Sequence, residues 1–347
     1  MQARLAHPRM SPRGAARGEP AADPFSEHRR PRHELRFSVL GTSFRFESDS
    51  LALLALVRRA YQGLPSHRLA PLASARVTLR VLPAPTPHEP PGLQALGAPG
   101  VFAALSEGAA LAALSPPARS ALVAVPPALL RHPYEVRYEL IEFAVYMLAA
   151  RTRGLMPLHG ACIGRAGEGI LLLGDSGAGK STLALASLLE RLEFVAEDSV
   201  LVEPHGLRAT GVANFLHLRP DALRFVQDAR LRTRLSAAPR IRRRSGIEKL
   251  EIDLRRPLFR LAPAPLRLRA LVFLTANRRS ARQPLLQPIT RARSASGLAR
   301  TQRYAAGHRG WRAFSERLQR LPAFELARPR HPQEAAQTLA RLCEGSW

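Results

Sequence analysis

The chain has 347 residues and a formal net charge of +25, with 46% hydrophobic residues of which few are aromatic. This length predicts two domains with enough chain for a buried core. Cys162 and Cys343 are too few and too distant in sequence for a disulfide framework or a cysteine metal cluster. There is no apolar run of 18 residues and no signal-peptide pattern, so a membrane-spanning or secreted protein is not expected. We therefore expect a cytoplasmic protein.

The positive charge could indicate nucleic-acid binding, because arginine and lysine neutralise phosphates. The arginines, however, are spread along the whole chain, and no zinc finger, leucine zipper or RNA-binding signature with interleaved aromatic residues is present. The sequence therefore favours compositional bias together with attraction to acidic protein or peptide partners. Nucleic acid is not the expected partner.

The first third of the chain predicts an arm followed by a small domain. Residues 1–33 are rich in Arg, Pro, Ala and Gly without periodicity, which is typical of a disordered basic arm. Alternating apolar residues around a Gly-Thr-Ser turn predict a β-hairpin over 35–46, followed by a helix over 51–61 and a strand over 77–81. We therefore expect a small α+β accessory domain over 34–130.

The next segment is harder to interpret. Residues 83–127 are dominated by Pro, Ala and Gly, with weak strand or helix character at 101–105 and 122–125. From Tyr134, apolar residues recur at helical spacing and predict a helix that ends near Arg153 and Gly154.

The most informative segment follows this helix. The apolar run Ile170–Leu173 leads into Gly174–Ser181, a complete G-x-x-x-x-G-K-S pattern. In such a loop, small residues let backbone N–H groups surround a polyphosphate, and the helix that follows directs its positive dipole end at it. The lysine reaches the β- and γ-phosphates, and the hydroxyl ligates Mg²⁺. The predicted nucleotide-binding residues are Gly174, Asp175, Ser176, Gly177, Ala178, Gly179, Lys180, Ser181 and Thr182.

Two further observations extend this site. The chain has only two lysines, Lys180 and Lys249, although it is rich in arginine, which favours a need for a compact point charge at these positions. After a predicted helix over 180–192, a short strand leads into Glu197 and Asp198, followed by the strand-like 200–202. Because this acidic pair comes so soon after the loop, we expect the strand directly after the loop helix to bring carboxylates to the phosphates.

The segment Leu158–Cys162, which contains the dipeptide His159–Gly160, the glycine-rich loop, and Ala196–Asp198 together resemble the HPr kinase/phosphorylase superfamily. That family has a His-Gly dipeptide before the loop and an Ala-Asp-Asp turn after it, at similar spacings. The resemblance is dense over 155–205, diffuse from there to the C-terminus, and absent from the accessory domain. It implies an α/β fold with a P-loop kinase core of the HPr kinase/PEP carboxykinase type over 131–347.

The resemblance implies an ATP-dependent kinase that transfers the γ-phosphoryl group to a serine hydroxyl of a protein or peptide. By position, Asp198 corresponds to the base on the acceptor hydroxyl, and His159 to the histidine beside it. Ser181 and Glu197 correspond to the Mg²⁺ ligands, with glutamate in place of the family's aspartate. Phosphoryl transfer itself requires charge neutralisation and a carboxylate that orients the attacking oxygen, which agrees with this assignment.

The chain also departs from the family. It lacks a segment that resembles the glycine-containing signature downstream of the acidic pair, so HPr itself is not the expected substrate, and efficient dephosphorylation is not expected. Residues 240–256 form a basic segment instead, in which 242–244 predict a solvated or substrate-attracting face. Lys249 lies in what looks like a flexible part of it, and we expect Lys249 to be a catalytic cation that moves onto the phosphate, the alternative being an incidental surface lysine. The family's ring-like assemblies imply a homo-oligomer.

The remainder predicts a buried strand over 266–274, a partly helical polar excursion over 278–310, a short strand over 322–326 and a closing helix over 332–342. Two other functions stay open. The chain could be a non-catalytic nucleotide-binding regulator, against which the joint presence of His159, Lys180, Ser181 and Asp198 argues. It could also be a DNA-associated ATPase, which only the charge supports.

Overall fold

The structure is a computed structural model that describes residues 31–82, 94–98, 101–106, 110–243, 246–278 and 284–345. Within these residues the chain is a mixed α/β protein with three sheets. Almost all of the predicted basic arm over 1–33 lies outside the described residues. None of the described helices is long and apolar enough to cross a membrane.

The front sheet is mixed, and its described strands have the order β1-β2-β3-β7-β6-β5-β4. The strands are β1 His33–Val39, β2 Thr42–Ser48, β3 Leu72–Val81, β4 Gln94–Ala98, β5 Val101–Ser106, β6 Ala110–Ser115 and β7 Ser120–Val125. The predicted hairpin is confirmed as the antiparallel pair β1–β2, and the predicted third strand as part of β3. Of the segment that the sequence left open, 101–105 and 122–125 are strands, and 83–93 lies outside the described residues.

Two helices cover the front sheet. Helix α1, Leu51–Tyr61, is confirmed with the predicted bounds, and the Ser50 side chain caps it by accepting a hydrogen bond from the Leu53 N–H. The predicted helix after Tyr134 begins as a π-helix over Glu135–Glu142 and continues as α2, Phe143–Thr152. Its apolar residues, among them Leu140 and Leu148, belong to the same hydrophobic core as the front sheet. A π-helix has wider turns, which often mark functional sites.

The central sheet carries the glycine-rich loop. Its main path is β11-β9-β10-β17-β13-β12-β8, with β19 paired to β17 and to β18. The strands are β8 Met156–Leu158, β9 Ala161–Arg165, β10 Glu168–Leu173, β11 Glu193–Ala196, β12 Val200–Glu203, β13 Arg208–Thr210, β17 Leu266–Arg278, β18 Leu286–Pro288 and β19 Ala323–Arg328. Strand β10 is parallel to β17 and antiparallel to β9.

Both faces of β10 are buried, which explains its continuous apolar run. Ile170 and Leu172 contact a core that includes residues of α3, Lys180–Leu189, and α8, Pro332–Cys343. The alternate residues Leu171 and Leu173 contact a second core, which contains Leu298 and Phe314. The helices on that side are α5 Arg291–Thr301, α6 Arg303–Ala306 and α7 Trp311–Leu318.

A small antiparallel sheet lies next to the acidic pair and has the order β14-β16-β15. Its strands are β14 Phe215–Leu218, β15 Arg240–Arg242 and β16 Glu248–Asp253, and the short helix α4, Ala229–Ser236, lies between β14 and β15 in sequence. The expectation that Lys249 lies in a flexible segment is wrong, because Lys249 lies in β16 and is paired with Ile241 of β15. Neighbouring apolar residues Leu250 and Ile252 anchor this strand in the core.

The other predicted elements are confirmed with shifted ends. The loop helix ends at Leu189 rather than at 192, because Arg191 adopts a left-handed conformation with φ of +63°. The strand over 266–274 extends to Arg278, and the closing helix runs one residue past its predicted end. The polar segment over 278–310 contains α5 and α6, although 279–283 lie outside the described residues.

Candidate functional site

The glycine-rich loop connects β10 to the first residue of α3. Gly177 and Gly179 have φ of +83° and +98°, which a residue with a Cβ atom rarely adopts. Space around both positions is open, so the backbone conformation and not crowding requires glycine there. Gly179 directly precedes Lys180, so the N-terminal N–H groups of α3 lie next to the loop. A helix start of this kind favours negative charge.

Lys180 is buried although its ammonium group is charged. Its Nζ donates hydrogen bonds to the carbonyl oxygens of Gly174 at 2.7 Å and Asp175 at 3.1 Å. Burial lowers the pKa of Lys180, while nearby carboxylates, Asp198 foremost, partly oppose this. The Asp175 carboxylate faces the other way and accepts a hydrogen bond from Arg300 of α5 at 2.6 Å. Asp175 therefore braces the loop through α5.

Ser181 contacts the acidic pair directly. Its hydroxyl donates a hydrogen bond to Oε1 of Glu197, and the backbone N–H of His217 donates to Oε2 at 3.3 Å. Burial raises the pKa of Glu197 to about 7, and the neighbouring Asp198 carboxylate adds to the rise. The glutamate at position 197, which is longer than aspartate, thus contacts the hydroxyl of Ser181 at the start of α3.

Asp198 occupies the turn between β11 and β12 with φ of +63°. Aspartate tolerates this left-handed conformation better than most residues, so the turn can present the carboxylate. Burial alone would raise the pKa of Asp198, but the cations Lys249 and Arg243 outweigh burial, and the net pKa is lowered. The carboxylate is therefore ionised at neutral pH.

His159 lies between β8 and β9, and it faces the same turn. A buried glutamine, Gln302, fixes its backbone, accepting from the His159 N–H at 2.8 Å and donating to the His159 carbonyl at 2.8 Å. The ring Nδ1 lies 3.1 Å from the backbone carbonyl of Asp198. Because a carbonyl can only accept, this hydrogen bond requires the proton on Nδ1 and leaves Nε2 as an acceptor. Burial, with Lys180 as a further cause, lowers the pKa of His159.

Arg243 is a site residue that the sequence reasoning missed, because 242–244 looked like a solvated face. Its Nη2 lies 3.4 Å from Oδ2 of Asp198, and its guanidinium lies 4.8 Å from the ring centre of Tyr138. Arg242 remains exposed, as expected, whereas Arg244 lies outside the described residues. The expectation of a solvated face is therefore wrong for Arg243, whose side chain is 23% exposed. Arg243 directly follows β15, where the chain turns back towards β16, and this turn places its guanidinium at the Asp198 carboxylate.

A cluster of buried charged residues around Glu251 lies next to the site and contacts it through His217. Glu251 of β16 is 1% exposed and accepts hydrogen bonds from Arg137 of the π-helix and, at 2.8 Å, from Arg59 of α1. His217 of β14 faces it across the strand pair, with Nε2 3.5 Å from Oε1 of Glu251. A detectable signal existed, since His217, Lys249 and Glu251 are polar residues within apolar strands.

A cavity of about 470 Å³, which we term the loop cavity, lies over these residues. Loop residues from Ser176 to Thr182 line it together with His159, Asp198 and Lys249. The structure thus brings these sequence-predicted residues to one cavity. Gly174, Asp175 and Glu197 contact them from behind through Lys180 and Ser181.

The donor groups fit a divalent cation. Donor atoms of Glu197, Asp198 and His217 lie within 4.8 Å of one another, and the Ser181 hydroxyl touches Glu197. Oxygen donors of this kind suit Mg²⁺. His217 fits less well, because Arg243 lies 3.3 Å from its Nδ1 and Glu251 faces its Nε2. The fitting donors are therefore the hydroxyl and the two carboxylates.

Comparison with known proteins gives little further evidence. No protein-family model matches the chain, and no curated protein matches it in sequence. Among solved structures, the HPr(Ser) kinase/phosphatase from Coxiella burnetii matches 55% of this chain and 88% of its own chain, with 13% identity and a TM-score of 0.27. This is a weak structural relationship.

Proposed function

We propose that this chain is an ATP-dependent serine kinase that transfers the γ-phosphoryl group to a hydroxyl of a protein or peptide other than HPr. The observation that carries the proposal is the position of Asp198. Asp198 lines the loop cavity together with Lys180 and Ser181, and it also lines a second cavity. A base between a nucleotide site and an acceptor site is what phosphoryl transfer to a hydroxyl requires.

ATP would bind with its phosphates against the glycine-rich loop and the start of α3. Lys180 would exchange its hydrogen bonds to the Gly174 and Asp175 carbonyls for phosphate oxygens. Ser181 and Glu197, with Asp198 beside them, would hold Mg²⁺, which supplies charge neutralisation at the phosphates. Lys249, from the wall of the same cavity, adds a positive charge there.

The reaction follows from the charges at the turn. Asp198, ionised because Lys249 and Arg243 lower its pKa, accepts the proton of the serine hydroxyl. The serine Oγ forms a bond to the γ-phosphorus, and the bond from that phosphorus to the bridging oxygen breaks, so ADP leaves with the electron pair. His159 lies beside this turn, and its Nε2 lone pair can accept a hydrogen bond from a backbone N–H of the acceptor, since the single hydroxyl proton goes to Asp198.

The test compares wild type with Asp198→Asn, using radiolabelled ATP, Mg²⁺ and a library of serine peptides. We expect the variant to bind ATP but to transfer phosphate about 100-fold more slowly, because the amide cannot take the proton. Asp228→Asn is the matched control, since Asp228 caps α4 and asparagine caps a helix equally well.

The possible outcomes separate the functions. Loss of transfer in Asp198→Asn alone supports the proposal, whereas equal transfer by both proteins contradicts the role of the base. Tight ATP binding without transfer by the wild type to any peptide or lysate protein would identify a nucleotide-binding regulator. DNA retention with a steep salt dependence, together with ATP hydrolysis, would favour a DNA-associated ATPase.

A further inference from the structure

The second cavity at Asp198 has a volume of about 440 Å³, and we term it the aromatic cavity. It shares His159 and Asp198 with the loop cavity, and Glu197 lines it as well. The two cavities therefore meet at the proposed base. Its main apolar wall residues come from the π-helix, α2, β14 and α6 and are Tyr138, Phe143, Tyr146, Met147, Phe215 and Tyr304.

The charges on the wall disfavour an acidic occupant. The carboxylates of Glu139, Glu142, Glu197 and Asp198 line the described cavity, while neither lysine nor arginine is among its lining residues. Arg137 pairs with Glu142 and Arg243 with Asp198, which leaves carboxylates as the charged groups on the wall itself. An acidic residue placed inside would lie close to these carboxylates and would lose its hydration. Apolar groups, in contrast, would gain from burial against the aromatic rings.

The shape of the cavity restricts how a substrate can enter. Its volume lies in the range of about 300–1,000 Å³ that is typical of concave ligand pockets. A smooth face of a folded protein cannot fill such a concave space, whereas an extended segment can insert single side chains into it. Because Asp198 lies on its wall, the residue beside the acceptor hydroxyl is the one that reaches the aromatic rings.

We propose that the acceptor is an extended peptide segment in which an aromatic or long aliphatic residue within two positions of the serine occupies the aromatic cavity. This rests on the proposed kinase function and names the substrate class of the same site. The serine hydroxyl then lies at Asp198, and the acidic residues that the net charge attracts lie farther along the partner chain.

A positional library of serine peptides and ATP tests the proposal. At one position within two residues of the serine, we expect phenylalanine or leucine to raise kcat/KM at least about tenfold over aspartate, as a filled apolar pocket does. Tyr304→Ala removes an aromatic ring from the rim and should reduce this preference. Val212→Phe narrows the cavity and should also reduce this preference, since Val212 lines the cavity and is only half-buried.

The control is Leu51→Ala, because Leu51 is 59% exposed on α1 and Tyr304 is 61% exposed, so both truncations start from exposed side chains. This control should keep the wild-type preference, and ADP binding by every variant shows that it is folded. Transfer without an apolar preference, or with a preference that neither cavity variant changes, overturns the proposal but leaves the kinase function intact. Absence of transfer to every peptide, with ATP still bound, overturns both.

Discussion

Arg243 Nη2 lies 3.4 Å from Oδ2 of Asp198, and both side chains are about one-fifth exposed, at 23% and 22%. The same guanidinium lies over Tyr138 and donates to Nδ1 of His217, so its position is fixed from three sides. Arg243 therefore lies where its charge, together with that of Lys249, lowers the pKa of Asp198.

The first prediction concerns the pH dependence of transfer in Arg243→Ala. Arg243 and Lys249 together lower the pKa of Asp198, so loss of one cation raises that pKa. A smaller fraction of the base is then ionised in mild acid, and the acidic limb of the kcat/KM profile moves to higher pH. Arg242→Ala, in the adjacent exposed position, should leave the limb unchanged. An unmoved limb in Arg243→Ala would show that this contact does not set the pKa of the base.

The sequence could reveal the glycine-rich loop and the acidic pair, because each is a contiguous string with its own chemistry. It could not reveal Arg243, because a run of arginines is typical of a solvated segment. Arg243 reaches Asp198 only through the pairing of β15 with β16. The sequence also predicted a flexible segment at Lys249, because basic residues precede it, although Lys249 lies in a strand that starts at Glu248.

The aromatic cavity was also beyond sequence reasoning. Its walls combine the helix after Tyr134 with Phe215 and Tyr304, which are far apart in the chain. Periodicity predicted that helix, whose Leu140 and Leu148 are buried, but it could not say what Tyr138 and Phe143, which are half-buried, would face. Such contacts depend on tertiary packing and not on local pattern.

The second prediction concerns the buried carboxylate of Glu251. Glu251→Gln removes one of the two carboxylates that pair with Arg137, which is 1% exposed, and leaves Glu142 as the other, so we expect the free energy of unfolding to fall by about 2 kcal/mol. Glu248→Gln is the matched control in the same strand, where an exposed pair with Arg240 should contribute less than about 1 kcal/mol. Urea unfolding measures both. Equal losses in the two variants would contradict the role of the buried cluster.

The lowered pKa of Glu251 also predicts how the stability of the protein changes in acid. Its surroundings, chiefly His217 and Arg137, overcome burial and hold the pKa of Glu251 at about 2, below the usual 4.5. A lowered pKa contributes stability above pH 4.5, and this contribution is lost as the pH falls towards 2. Wild type should therefore lose stability across this window more steeply than Glu251→Gln.

The third prediction concerns Glu197, whose pKa has the opposite shift. Burial raises its pKa to about 7 from 4.5, so the group favours the folded state below pH 4.5, and this contribution is lost as the pH rises to 7. Glu197→Gln removes the loss, and without Mg²⁺ its melting temperature at pH 8 should exceed that of wild type by a few degrees. Calorimetry should also show that Mg²⁺ releases a proton from wild type at pH 6.5 and not from the variant. Equal proton release by both proteins would exclude Glu197 as the source.

The last prediction concerns Lys249, which lines the loop cavity from a fixed strand and not from a mobile segment. As a compact ammonium on a flexible stem it can reach a phosphate oxygen, whereas a planar guanidinium needs more room and a different angle. Lys249→Arg should therefore lower kcat about tenfold, which equals ~1.4 kcal/mol of activation free energy, although the charge is retained. Arg240→Lys makes the reverse exchange on the neighbouring strand, at an exposed position paired with Glu248, and should leave kcat unchanged. A turnover number in Lys249→Arg equal to that of wild type would mean that Lys249 is an incidental cation of the cavity wall.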